Sequence, residues 1–455
     1  MSSAKKKQAD ARRVVLDLLM DSGDFPTRQF GDFADRAGLE GQDRGFAREL
    51  LSGTLRHCRK LDAIFEPHCK RRVKDEALRW TLRLGTYQLF FLAHIPDHAA
   101  VHATLESARP LLRELSGFAN GVMRQMQRSA KLESELPENY LTESFSRKRL
   151  VIGKRSWMFP RPVFANPKQD AVEFWATEFS FPNFLARRWF QQLGEEAAVA
   201  RMKNLQGVPA LWIRVNPLRS KPKDVRAALE QQGVDVVAGS HPLSLRLLKH
   251  GGNIPALPGF AEGHWAVQDL TSLETLALAE PQPGERILDL CAAPGGKSFA
   301  AFELSGGKAE VWACDVDQRR LSRLAPEAKR LGHNIQTKAL GGAGGEEPDG
   351  PWDLILLDVP CSNTGVLHKR LEARGRFSKT SLRDATTLQN LIRKAYLPRL
   401  LGPNTRVLWS TCSLEPEENQ EMAARIARHT QLEVSKEITF EPDGLRAGGY
   451  AALLR

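Results

Sequence analysis

Cysteine is scarce in this chain: six residues in 455, namely Cys58, Cys69, Cys291, Cys314, Cys361 and Cys412. No two of them form a CxxC pair, so their spacing supports neither a zinc site nor a disulfide framework, and no metal is expected. Sparse, unpaired cysteine fits a reducing cytoplasm. Long apolar runs are also missing. None reaches the roughly 18 residues of a membrane span, so no membrane partner is expected. The N-terminal stretch MSSAKKKQADARR lacks the apolar core of a secretory signal. Its lysines read as a frayed, solvated tail or a weak RNA contact. No internal repeat stands out.

Charge of one sign is in excess. Lys and Arg number 65 against 54 Asp and Glu, a net charge of +11. That balance suits a polyanionic partner such as a nucleic acid.

A chain of this length exceeds one core, so two to three domains are expected. From about 8 to 130, apolar residues recur at helical spacing in ARRVVLDLLM, FARELLSGTLRHCRKLDAIF, ALRWTLRLGTYQLFFLAHI and HATLESARPLLREL. Short connections predict a helical bundle. Residues 131–168 are polar, with basic clusters at Arg147-Lys148-Arg149 and Lys154-Arg155, and read as a linker or insertion. The clusters suit either an RNA contact or a solvated linker. A small mixed region follows, with helical segments over 182–205, a strand at 210–216, a helix at 222–233 and a strand at 244–248. From about 256, strands at 286–292, 310–316, 352–358 and 406–412 alternate with helices at 296–304, 319–332 and 382–397. Pro326 must kink or divide the second of these helices. The alternation predicts a doubly wound, mostly parallel sheet.

Cys361 and Cys412 each end an apolar strand, where polar sequence takes over. In open α/β sheets that rim is where ligands bind. Two thiols on one rim suggest covalent chemistry. The first strand runs into CAAPGGKS, whose small residues (Cys291, Ala292, Ala293, Pro294, Gly295 and Gly296) let a ligand approach backbone at a helix start. The stretch is neither GxGxxG nor a Walker A loop. A nucleoside bearing a carboxylate fits it better than a phosphate does. The helix N-terminus and Lys297 are both suited to attract that carboxylate. Asp315, ending the second strand, is expected to bond ribose hydroxyls. Asp317 reads as the cap of the following helix. Cys291 and Cys314 read as packed thiols. Glu415, Glu417 and Glu418 suit a helix start and need no catalytic role.

LDLCAAPGGKS, DVPCSNTG and STCSLEPEEN, in this order, resemble the signature motifs of the RNA cytosine-C5 methyltransferases of the Sun (Fmu) family. EGHWAVQDLTSLETL is similar to the family's segment before the cofactor loop. LWIRVNPL is similar to its accessory subdomain. GFARELLSGTLRH, RLGTYQLFFL and GFANGVMRQM resemble a NusB-like RNA-binding domain, a combination found in the family's bacterial small-subunit rRNA members. The resemblance implies four segments: a NusB-like domain over 1–135, a basic linker or insertion over 136–168, an α+β accessory subdomain over 169–255 and a Rossmann-like methyltransferase domain over 256–455 with a mostly parallel seven-stranded sheet. It implies S-adenosyl-L-methionine as cofactor, with the 291–297 loop, Asp315 and Asp358 binding it, and RNA as partner, 16S rRNA foremost. A monomer is expected.

By the same resemblance Cys412 is the nucleophile that adds to C6 of cytosine, Cys361 assists release of product, and Asp358 bonds the cytosine edge near N3 and the 4-amine. A cysteine attacks as thiolate and needs an electropositive site, for which Lys297 is the candidate. The chain departs from the family in three places. Gly341 stands near the acid expected to meet the adenine amine, with Glu346 or Glu347 as substitutes. HKRLEARGRF (368–377) replaces a different family loop and is expected to face RNA. Val359 and Asn363 replace an Ala and a Gly. Three alternatives stand beside this reading. The same reaction on tRNA or another RNA shares every motif. An impaired NusB-like assembly factor would explain Gly341. A DNA cytosine methyltransferase would use Cys361 as nucleophile.

Overall fold

Apolar residues at helical spacing turn the N-terminal helices onto a shared core, and one of them, Glu76–Phe91, is buried on every side from Leu84 to Phe90. The computed structural model describes residues 10–21, 23, 25–133, 147–249, 252–341 and 347–455. They group into two units, one running to Gln206 with Arg370–Arg376 added, the other comprising Gly207–Lys369 and Phe377–Arg455.

In the first unit the helices are Ala11–Asp21, Pro26–Arg36, Gly41–Arg56, Cys58–Phe65, Glu76–Phe91, Asp97–Leu112 and Ser116–Ser129. Asp75 caps the fifth, accepting from the Leu78 amide at 2.7 Å. Leu50, Leu61, Leu82, Val101 and Met123 meet in its core. The 131–168 segment is not a plain linker. Lys131–Leu132, Arg155–Met158 and Arg149–Ile152 form a three-stranded antiparallel sheet. Its Leu150 and Trp157 join the helical core. Burying those two residues outweighs the polar composition of the stretch. Residues 134–146 lie outside the described residues. Arg149 pairs with Glu133 at 3.0 Å, and Arg155 donates to the Phe90 carbonyl at 3.2 Å. These two members of the basic clusters are therefore engaged within the fold.

Helices Ala171–Glu178, Asn183–Leu193 and Glu195–Asn204 also lie in the first unit, which ends at Gln206. The 370–376 segment also belongs there, and Arg374 at its centre turns inward. Arg374 is buried, donating to the carbonyls of Arg56 (3.1 Å), Phe179 (3.2 Å) and Leu205 and to Gln206 Oε1. A buried guanidinium is tolerated here because acceptors meet it on several sides.

The second unit holds a four-stranded antiparallel sheet, ordered 235–238, 244–249, 211–215 and 265–267, and a seven-stranded sheet. The larger sheet runs in the order 335–339, 310–315, 286–289, 354–358, 406–411, 449–454 and 434–440. Its first five strands are parallel, and Gly449–Leu454 runs antiparallel to both neighbours. Alternate residues face opposite ways. Leu288, Ile355, Val407 and Trp409 pack in one core; Ile287, Leu354, Leu356 and Leu408 pack in the other. Covering both faces is what makes these strands read as continuous apolar runs. Pro326 divides its helix: Gln318–Leu321 ends, and Leu324–Leu331 restarts with the proline in its first turn, where no amide hydrogen is needed.

Candidate active site

The Arg286–Asp289 strand delivers the CAAPGGK loop to the rim of the sheet. Gly295 takes φ +105°, and a Cβ there would lie 2.7 Å from the Phe299 ring. Only glycine allows this turn into the Gly296–Leu304 helix. Asp289 anchors the loop from beneath, accepting from Ser298 Oγ at 2.7 Å and from the Cys291 amide at 3.3 Å. Burial pushes its carboxyl up to about 7, against the hydrogen bond from Ser298. Asp315 accepts from the Ala293 amide at 3.1 Å and from the Asp317 amide at 2.9 Å. Asp317 caps the next helix through the amides of Arg319 and Arg320. Burial raises the Cys291 thiol well above its ordinary value and pushes Cys314 up to about 12, so neither ionises readily.

The helix is clamped from the smaller sheet. Arg214 donates to both oxygens of Glu303, at 2.6 and 2.9 Å, and to the Gly296 carbonyl at 3.2 Å. Both side chains are 1% exposed. His333 lies 3.3 Å from Glu303, but burial and nearby arginines push its pKa down to about 3. The imidazole is therefore neutral, and Arg214 alone of the two carries the compensating charge.

Lys297 does not stand open to a carboxylate, as its position in the loop suggested. Its Nζ lies 2.7 Å from Asp358 Oδ2. Burial opposes its charge, but attraction from Asp358, Cys412 and Asp289 outweighs this and raises its pKa. Asp358 also accepts from Ser410 Oγ at 2.9 Å. The strands ending at Asp358 and Thr411 are parallel neighbours, with Asp358 opposite Ser410. Just beyond, Cys361 Sγ and Cys412 Sγ approach to 3.2 Å. The contact with Cys412, with burial, raises the Cys361 thiol well above its ordinary value. Asn363 adopts a left-handed φ of +63°, which asparagine tolerates better than most residues. Its Nδ2 donates to the Cys361 carbonyl at 2.7 Å and its Oδ1 accepts from Cys412 Sγ at 3.3 Å.

Glu418 does not take the helix-start place that its sequence position suits. The final helix is not capped by it but starts at Gln420 behind Asn419. Glu418 is instead fully buried between the two cysteine loops, accepting from Ser362, Ser413 and Gln389. Its only trace in sequence is its position six residues beyond Cys412 in an acidic stretch, which suits a helix start equally well. Gly341 is exposed; Glu346 lies outside the described residues; Glu347 pairs with Arg399 at 2.9 Å. Among the described residues no group of acids, histidines or cysteines could hold a metal ion, and no helix is long and apolar enough to cross a membrane.

A seven-stranded sheet of this order, with a glycine-bearing loop after its first strand and an acid ending its second, defines an S-adenosylmethionine-dependent methyltransferase. The loop's small side chains, the acid and the free helix start suit the cofactor's ribose and carboxylate. A family model described as 16S rRNA methyltransferase RsmB/F matches residues 276–453, the NusB family model matches 9–128, and a ferredoxin-like domain model of RsmF/B-like methyltransferases matches 181–252. Ribosomal RNA small subunit methyltransferase B of Yersinia pseudotuberculosis is 33% identical over 420 residues, 89% of this chain and 87% of that protein. The probable enzyme of the same name from Synechocystis is 32% identical, over 86% and 82%. The chain belongs to the RsmB/F family of 16S rRNA methyltransferases. Two solved structures share the fold. PH0851 has a TM-score of 0.73 at 22% identity, covering 98% of both chains. NSun6 from Pyrococcus horikoshii, solved with SFG, has 0.53 at 20%, covering 60% of this chain and 98% of its own.

Proposed function

We propose that this protein methylates C5 of a cytosine in RNA, with 16S rRNA as the substrate, through a covalent bond between Cys412 and C6 of the base. The observation that carries this reading is the 3.2 Å approach of Cys361 and Cys412 beside the Lys297–Asp358 pair. S-adenosylmethionine, when bound, supplies an electrophilic methyl group. The CAAPGGK loop, Asp315 and Asp358 are the residues that would hold it.

C5 of cytosine is a poor nucleophile. Attack of the Cys412 thiolate forms an S–C6 bond and shifts the C5–C6 π electrons, leaving C5 enamine-like. Asp358 engages the N3 and 4-amine edge where charge develops. Lys297 holds Asp358 in place and brings a positive charge to the site that Cys412 shares. Cys361, kept protonated by its raised pKa, donates to the Cys412 sulfur. Once C5 carries the methyl group, the C5 proton passes to solvent, its bonding electrons re-form the C5–C6 double bond and the S–C6 bond breaks, with the Cys361 hydrogen bond again stabilising the departing thiolate. The base must leave its stack to reach these groups. Support for RNA comes from the +11 charge, the NusB-family match and the names of the relatives.

The test is bisulfite mapping of 16S rRNA incubated with S-adenosylmethionine and the full chain. One newly protected cytosine is expected, lost in Cys412→Ala. No protected cytosine in 16S rRNA, naked or in the small subunit, overturns the reading.

A further inference from the structure

The sheet ladder ends at Asp358 opposite Ser410. Cys361 and Cys412 lie beyond it, where no strand pairing fixes their separation. Several bonds cross directly between the loops: the Gly365 amide donates to the Cys412 carbonyl at 2.9 Å, the Leu414 amide to Thr364 Oγ1 at 2.8 Å and Cys412 Sγ to Asn363 Oδ1 at 3.3 Å, and Ser413 Oγ lies 3.0 Å from Ser362 Oγ and 3.2 Å from Thr364 Oγ1. Glu418 adds a link that engages both loops at once. One of its oxygens accepts from the Ser362 amide at 2.9 Å and Gln389 Nε2 at 3.0 Å; the other accepts from Ser362 Oγ and from Ser413 Oγ at 2.5 Å. Ser362 follows Cys361, and Ser413 follows Cys412. Gln389, from the Lys379–Leu400 helix, also donates to the Pro360 carbonyl at 3.0 Å, so the same bracket fixes the residue before Cys361.

A buried carboxylate is costly, and apolar residues would fill the same space at less expense of desolvation. Three donors drawn from both loops, with a fourth from the Lys379–Leu400 helix, indicate a different use. Charge-assisted hydrogen bonds are short and directional, and so fix geometry where packing alone would allow play. We propose that Glu418 is a positioning residue for the methyl-transfer reaction, clamping the residues next to Cys361 and Cys412 so that the two thiols meet. This rests on the reading of Cys412 as nucleophile. The pairing matters because a nucleophile and its assisting group misplaced by about 1 Å can lose on the order of 100-fold in rate.

The test uses the full chain, S-adenosylmethionine and a 16S rRNA fragment carrying 5-fluorocytosine, which holds the protein–RNA adduct. Glu418→Ala is expected to slow adduct formation at saturating RNA and cofactor by about 10- to 100-fold. The apparent affinities for both are expected to stay within about twofold. Glu418→Gln keeps an acceptor for the Ser362 amide and Gln389, and its amide donates to the two hydroxyls. It is expected to restore the rate to within about threefold of the parent. Should Glu418→Ala not fold, Ser413→Ala removes one arm of the bracket and is expected to show the same split between rate and affinity. An unchanged adduct rate in the folded variants, or equal losses of rate and cofactor affinity in Glu418→Ala and Glu418→Gln, overturns the proposal. If the parent protein itself forms no adduct through Cys412, the C5 mechanism fails instead.

Discussion

Lys297 Nζ and Asp358 Oδ2 meet at 2.7 Å, joining the cofactor loop to the strand that ends in the first cysteine motif. The pair sets the charge of the site. Lys297 interacts with Cys412 and Asp289 as well as with Asp358. Substituting Lys297→Met removes the cation from all three. Adduct formation is expected to fall by about 100-fold or more, the scale for losing one preorganised electrostatic group. Alkylation of Cys412 by iodoacetamide at pH 7, followed by peptide mass spectrometry, should slow in parallel. An unchanged alkylation rate would remove Lys297 from thiolate stabilisation.

The two thiols have unequal expected roles. Cys412→Ser should form no adduct, while Cys361→Ala should form it and fail to release RNA, giving a retarded band on a denaturing gel. The opposite pattern would exchange the assignments and make the DNA-enzyme arrangement the better analogy.

Asp289 gives the fold a pH dependence. Its carboxyl is raised to about 7 in the folded protein against an ordinary value near 4. The folded state then binds the proton more tightly, so this residue costs stability as pH rises from the unfolded toward the folded value. Three pH units correspond to about 4 kcal/mol at most. Asp289→Asn keeps an acceptor for the Cys291 amide and removes this residue's contribution to the slope. Melting temperature followed from pH 5 to 8 should fall less in the variant than in the parent.

Arg214 compensates Glu303 in a pair that is 1% exposed on both sides. Arg214→Met leaves that carboxylate unpaired beside a neutral His333. A loss of about 3–5 kcal/mol is expected in denaturant unfolding of the second unit's transition. Because Arg214 also holds the Gly296 carbonyl, affinity for S-adenosylmethionine should weaken with it.

RNA binding should depend strongly on salt. Each neutralised phosphate adds roughly 0.7 to 0.9 to the slope of log K against log salt. Fluorescence anisotropy with a labelled 16S rRNA fragment over a range of potassium chloride measures it. A flat response would separate the +11 charge from RNA recognition.

Local patterns carried much of the fold. Continuous apolar runs marked four of the parallel strands because both faces of that sheet are covered. Helical spacing marked the first bundle. The exposed strand Val434–Phe440, with one buried residue in seven, gave no such pattern and takes its place only by pairing with Gly449–Leu454. The small sheet over 131–158 was hidden for a related reason: two core residues, Leu150 and Trp157, hold an otherwise polar segment.

The sequence by itself determined that thiols, an acid and a glycine loop stand at the ends of successive strands, because a strand's apolar run and its polar end are written in neighbouring residues. Only the tertiary structure decided which of these groups touch. Lys297 could have faced a ligand and instead meets Asp358; Arg374 could have faced RNA and instead fills the interior of the helical unit. Cys361 and Cys412 come within 3.2 Å, and Glu418 joins their loops, through contacts between residues distant in the chain. Such contacts depend on sheet register and on the desolvation of buried charge, and neither is a property of any local stretch of residues.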